Sequence, residues 1–182
     1  VLIPRPETEL LVETVLAEAR RRNNPPSSIV DVGTGCGCIA ISLVKELTGL
    51  IPVQVYASDI SPEAIEVAKL NAKRLGVERQ IKFVVGDSLE PLPKPVDIIV
   101  GNPPYIPSET VGGLAYDIHH FEPRVALDGG PDGLDVHRKI LVQAKLKLRK
   151  HGAIFLEIGH DQGGPARDIA REHFPEAQVE IL

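Results

Sequence analysis

Four apolar runs in this chain each stop at a glycine or a short polar side chain, and helix signals follow the first two. Ser28–Val32 runs into Gly33-Thr34-Gly35-Cys36-Gly37. Val53–Ser58 ends at Asp59, Ile81–Val85 at Gly86-Asp87-Ser88, and Val96–Val100 at Gly101-Asn102. Strands alternating with helices are joined by crossovers and pair in parallel. Parallel strands bring their carboxyl ends to one edge of the sheet, where open α/β folds hold ligands. The pattern points to an α/β sheet. It gathers the glycine turn, Asp59, Asp87 and Asn102 at one rim.

The helices carry their own punctuation. Pro6, Glu7 and Glu9 open a first helix and Arg20, Arg21 and Arg22 suit its exit, with Leu11/Val15 and Val12/Leu16 as i,i+4 apolar pairs. Ile39–Leu47 is a second helix. Ser61-Pro62-Glu63 is an N-cap, an N1 proline and a first-turn acid, opening a third that stops at Gly76. Downstream the pattern predicts a long connection over Ile106–Asp132, a helix over Leu134–Arg149, a strand over Ala153–Ile158, a helix near Pro165–Glu172 and a last strand near Gln178–Ile181. One domain over residues 1–182 is expected.

Composition narrows the function classes. A 43% apolar, 25% charged chain of 182 residues is that of a soluble globular domain. A net charge of −5 argues against a general phosphate-binding surface, so no direct nucleic-acid partner is expected. No run approaches membrane-spanning length. Cys36 and Cys38 are the only cysteines, too closely spaced for a mutual disulfide and too few for a zinc site, so a reducing cytoplasm and no metal are expected. The chain starts at Val1 and has no methionine, which reads as an excised domain.

Alternating glycines let the backbone turn tightly and approach a ligand. The dinucleotide fingerprint would place glycine where Cys38 stands. Asp59 can accept from two ribose hydroxyls, or be an ordinary solvated loop acid. Asp87 could accept from an adenine amino group with Ser88 lining the base. In Asn102-Pro103-Pro104-Tyr105 the prolines remove two N–H donors, and the tyrosine adds a flat face. The result is a slot for a planar group bearing an NH2.

With these stretches in place, the chain resembles class I S-adenosylmethionine-dependent methyltransferases. More narrowly it resembles the HemK/PrmC family of protein-(glutamine-N5) methyltransferases. Ile3-Pro4-Arg5-Pro6-Glu7-Thr8-Glu9, the glycine turn, Asn102-Pro103-Pro104-Tyr105-Ile106, Phe121-Glu122-Pro123-Arg124-Val125-Ala126-Leu127-Asp128-Gly129-Gly130 and Asp132-Gly133-Leu134-Asp135 carry the likeness. It implies a Rossmann-like, mostly parallel sheet with helices on both faces, here without the final strand and without the family's N-terminal helical domain. It implies methylation of the glutamine in the Gly-Gly-Gln motif of peptide-chain release factors, by a monomer, with S-adenosyl-L-homocysteine as product. Gly33, Thr34, Gly35, Cys36 and Gly37 would then wrap the methionine part of S-adenosyl-L-methionine, with Thr8 and the Arg5 neighbourhood closing that side. Asp59 would take the ribose, Asp87 and Ser88 the adenine. Asn102 would touch both cofactor and substrate, and Asn102, Pro103, Pro104 and Tyr105 would be the catalytic element.

Three rivals share parts of this pattern: an amino-methyltransferase of adenine or cytosine in DNA or RNA, a non-catalytic cofactor-binding fragment, and a dinucleotide-dependent oxidoreductase. Other conspicuous residues have blander readings. His119-His120 reads as solvated, Glu122 and Arg124 as charges that order the long loop, and Lys145, Lys147, Arg149 and Lys150 as a solvated helix face.

Overall fold

A computed structural model describes residues 7–114 and 122–182. Arg5, His119, His120 and Phe121 lie outside the described residues. Contacts divide the chain into two compact units. One holds the residues up to Asn102 with Leu146–Glu157, the other Pro103–Lys145 with Ile158–Leu182.

The first unit is the sheet. Helix α1 (Glu7–Arg21) precedes strand β1 (Ser28–Val32), helix α2 (Cys38–Leu47), strand β2 (Gln54–Asp59), helix α3 (Pro62–Arg74), and strands β3 (Ile81–Val85) and β4 (Val96–Gly101). Strand β5 (Leu148–Leu156) completes it. The order is β3-β2-β1-β4-β5 and every pairing is parallel. The chain winds outward from β1 to β3 and then returns to β1's other side as β4. The topological switch point therefore lies between β1 and β4, where open α/β sheets bind ligands.

Burial explains why the central strands read as unbroken apolar runs: all five residues of β1 are buried. On one face Val15, Leu16 and Ala19 of α1 and Ile39, Leu43 and Leu47 of α2 pack on Ile29, Ile98 and Val100. A second cluster joins Ala40, Ile41 and Val44 to Val55, Ala57, Ala72 and Ile81. Val30 and Ile99, on the opposite face, are also fully buried. The α3 entrance is as expected: Ser61 Oγ accepts from Ala64 N at 3.1 Å, with Pro62 in the first turn.

Strand β5 starts earlier than expected, at Leu148 rather than Ala153. Leu148 pairs with Val96 and Ala153 with Ile98, so the residues between them bulge. Arg149 Nη1 donates to Asp97 Oδ2 at 2.9 Å and to Ser27 Oγ at 2.6 Å, which pins the bulge to the amino ends of β1 and β4. Arg149 is thus an anchor rather than part of a solvated helix face.

In the second unit, helix α4 (Ser108–Val111) and a 3-10 turn at Arg124–Ala126 occupy the long connection. Ile106 bridges Asp128. Arg124 closes on Asp128 at 2.9 Å. Helices α5 (Asp135–Lys147, whose last residues enter the sheet unit) and α6 (Gly163–His173) follow. The strand expected near Gln178–Ile181 does not form. Val179 and Ile181 alternate with polar residues, yet no ladder partner pairs with them among the described residues, and Gln178 Nε2 donates instead to Glu180 Oε1 at 2.7 Å.

Candidate active site

The glycine turn leaves β1 through left-handed backbone at Gly33, Gly35 and Gly37, with φ of 68°, 55° and 85°. The three differ in purpose. A β-carbon on Gly37 would meet Ala68 at 3.0 Å, so that glycine lets α2 and α3 pack. A β-carbon on Gly33 would meet nothing within 4 Å, and one on Gly35 only a backbone oxygen at 4.0 Å. Open space therefore fronts the first two, leaving their backbone approachable.

The turn is held from both neighbours. Thr34 N donates to Ser58 O at 2.9 Å, Gly35 N to Asp59 Oδ2 at 2.9 Å, and Asn71 Nδ2 of α3 to Cys36 O at 2.9 Å. Asp59 also accepts from Ser61 N at 2.9 Å. One carboxylate thus ties the glycine turn to the entrance of α3. Each oxygen keeps a further lone pair.

Asp31 was expected only as a strand residue, and the structure gives it a larger part. It is fully buried. Its Oδ2 accepts from Thr34 Oγ1 at 2.6 Å and from Ala40 N at 3.1 Å. Gly37 at the α2 N-cap offers no side-chain cap, so Asp31 caps that helix from the strand. Its Oδ1 is buried and has no partner among the described residues. Burial pushes the carboxyl up to about 7, against the lowering by Thr34 and Ala40, while the Asp59 charge adds to the rise. An acid inside an otherwise apolar strand was the sequence signal for it.

The other strand ends meet the same rim. Ser88, in left-handed backbone at φ 54°, donates from Oγ to Asp87 Oδ1 at 3.0 Å and accepts at its carbonyl from Ser58 Oγ at 3.0 Å. Gly101 is required by β1: a β-carbon there would stand 2.5 Å from Val32 O. Asn102 follows, half-buried, and its Nδ2 donates to Thr8 Oγ1 at 3.4 Å. The Thr8 hydroxyl donates in turn to Glu157 Oε2 at 2.9 Å. Glu157 follows β5 and its N–H bonds Gly101 O at 3.1 Å. The sequence reading overlooked it, although it ends a strand as Asp59 and Asn102 do.

Cys36 and Cys38 flank Gly37 as free thiols. The neighbouring Cys38 thiol draws Cys36 below the ordinary thiol value although burial opposes it, and Cys38 is itself pushed up. In the second unit, Pro103 is buried and Pro104 and Tyr105 are half-buried. The Tyr105 carbonyl accepts from Gln162 Nε2 at 2.8 Å, and that amide also reaches Asp132 O at 3.1 Å.

Fold and rim together define an α/β protein with a ligand edge at its switch point. Solved structures share that architecture. A ribosomal protein L11 methylase from Lactobacillus delbrueckii subsp. bulgaricus matches over 94% of this chain and 70% of its own, with TM-score 0.65 and 22% identity. A T. thermophilus 16S rRNA methyltransferase, solved with AdoMet and guanosine, matches over 94% and 38%, with TM-score 0.64 and 18% identity. The chain belongs to the Methyltransferase small domain family, which matches residues 6–117. A release factor glutamine methyltransferase from Moorella thermoacetica is 48% identical over 94% of this chain and 59% of its own length. One from Bacillus cereus is 42% identical over 100% and 64%. The chain thus spans about three-fifths of these curated relatives. No helix among the described residues is long and apolar enough to cross a membrane.

Proposed function

We propose that this chain is the catalytic domain of an enzyme that methylates the side-chain nitrogen of a release-factor glutamine, with S-adenosyl-L-methionine as methyl donor. The observation that carries the reading is its identity, 48% over nearly its whole length, to a relative named for that activity. The rim fits the cofactor. Gly33 and Gly35 leave space against their backbone, and Asp59 has acceptor capacity for ribose hydroxyls. Thr34, Cys36 and Gly37 would complete the turn around the methionine part, and Asp87 and Ser88 would border the base.

When bound, S-adenosyl-L-methionine supplies an electrophilic methyl on a sulfonium and leaves as a neutral thioether. The harder task is the nucleophile, because an amide nitrogen shares its lone pair with its carbonyl. Asn102 Oδ1 and the carbonyl of the next residue, Pro103, accept the two amide hydrogens of the target. That polarisation favours the pyramidal nitrogen of the transition state, and Tyr105 packs on the amide plane. Positioning in line with the methyl is the main contribution. The proton shed by the methylated nitrogen goes to water.

Incubation with radiolabelled methyl donor and either a release factor or DNA tests the reading. Label on the factor's glutamine is expected, and label on nucleic acid alone would reject it. Replacing Asn102 by Ala should lower kcat by about 100-fold or more, the usual cost of one aimed polar group, with a smaller effect on cofactor Kd. Unchanged turnover would remove Asn102 from the chemistry.

A further inference from the structure

We propose that Thr8 and Glu157 are positioning residues that fix which way round the Asn102 carboxamide sits. The inference rests on the proposed function, in which Oδ1 is the end that meets the target. A carboxamide has a donor end and an acceptor end of nearly the same shape, so a site that uses only one end must select it. The selection is made by a chain of three side chains brought together from α1, β4 and the end of β5. Glu157 Oε2 accepts from the Thr8 hydroxyl at 2.9 Å. That hydroxyl has one hydrogen, and it is spent there. Thr8 Oγ1 can then only accept, so Asn102 must present its NH2, as it does at 3.4 Å. A flipped carboxamide would set Oδ1 against the lone pairs of Thr8 with no hydrogen between them. Oδ1 is thereby left as the outward end, the acceptor an amide NH2 requires. A flipped Asn102 would oppose donor to donor.

Thr8 is 95% buried with only 5% of its surface exposed, so the junction is shielded from competing water. Glu157 is itself fixed to the neighbouring strand end by the bond from its N–H to Gly101 O. The two ends of the relay therefore share one strand pair.

The relay is tested on the whole chain with four variants. Thr8→Ser keeps the hydroxyl and Glu157→Gln keeps an acceptor; Thr8→Val and Glu157→Leu remove them. The first pair should stay within about threefold of wild type in kcat for methyl transfer to a Gly-Gly-Gln peptide. At saturating cofactor the second pair should lose about tenfold or more, the penalty of a misplaced reacting group, and in Glu157→Leu cofactor Kd stays within about twofold. Loss that follows cofactor Kd or folding in all four variants would overturn the proposal, as would full activity in Thr8→Val. A readout independent of turnover is the Asn102 side-chain NH2 signal in 15N spectra, assigned by its loss in Asn102→Asp. It should shift and exchange faster in Thr8→Val and Glu157→Leu and stay put in Thr8→Ser and Glu157→Gln. An unmoved signal in Thr8→Val and Glu157→Leu overturns the relay. If wild type moves no methyl to the peptide, the function reading fails, and the NH2 signal still decides the relay.

Discussion

The two ends of the sheet treat their carboxylates in opposite ways. At the amino ends of β1 and β4, Asp97 Oδ2 accepts from the N–H and hydroxyl of both Ser27 and Ser28 and from Arg149, at 2.9–3.0 Å. Burial works against its charge, yet the bonds from Ser27, Arg149 and Ser28 outweigh it and hold the carboxyl below its ordinary value. At the carboxyl ends, Asp31 is fully buried with one oxygen lacking a partner among the described residues, and its carboxyl is pushed up to about 7. A satisfied acid stabilises the fold; an under-satisfied one is retained at a cost. That cost points to a role beyond packing, because perturbed acids concentrate at functional edges.

The largest effect that would break this contrast is the pH response of Asp31. Its native value lies above the 3.8 of an unperturbed Asp. The native state therefore holds more protons between the two, and stability falls as pH rises from about 4 through about 7. The shift corresponds to roughly 4 kcal/mol across that window. Urea unfolding of wild type against Asp31→Asn at a series of pH values should show that decline only in wild type. Parallel curves would mean that Asp31 is not the acid at issue.

Asp97→Ala sharpens the other side. It strips one acceptor from two backbone and two hydroxyl donors and releases Arg149, so a loss of about 2–4 kcal/mol is expected by urea unfolding, the cost of leaving several donors unmatched. Its pH dependence has the reverse sign: with the native value depressed, its contribution is present above the ordinary carboxylate range and is lost as pH falls through the depressed value. Cofactor affinity should not change, because Asp97 lies at the far end of the strands.

The contrast also marks what the sequence could disclose. Strands β1 to β4 were legible because each is an apolar run with a punctuated end, and parallel winding then sets Gly33, Asp59, Asp87 and Asn102 at one rim. Strand β5 was misjudged at its start. Arg149, Lys150 and His151 look like a helix exit, and only the reach of Arg149 to Asp97 makes them part of the sheet. Residues near Gln178–Ile181 have strand periodicity without a partner, and periodicity does not supply the ladder. Within the site, residue types at turns were readable. The parts of Asp31 and Glu157 were not: Asp31 reaches across the glycine turn to Ala40 N of the next helix, and Glu157 meets Thr8 from the other end of the chain.

Asp59 tests the rim more gently than Asp31. Asp59→Ala removes an acceptor for Gly35 N and Ser61 N as well as the proposed ribose contacts. Cofactor Kd, measured by isothermal titration, should rise about 10- to 100-fold, the scale of one or two lost charge-assisted bonds, with kcat at saturation falling less. An unchanged Kd would reduce Asp59 to a brace of the turn.

The smallest effect is expected at Cys36, whose carbonyl is held by Asn71 Nδ2 at 2.9 Å whatever its side chain. Its thiol is drawn below the ordinary thiol value by the neighbouring Cys38, while Cys38 is pushed up. Iodoacetamide at pH 7 should therefore label Cys36 at least about tenfold faster than Cys38, read by peptide mass spectrometry. Cys38→Ser would weaken that pull and slow the labelling. Cys36→Ala should move cofactor Kd by no more than about threefold, since the N–H and C=O groups of the turn survive it. Equal labelling of the two thiols would show that they do not share a proton. A large rise in Kd in Cys36→Ala would show that the turn uses a side chain where the open faces of Gly33 and Gly35 imply that backbone suffices.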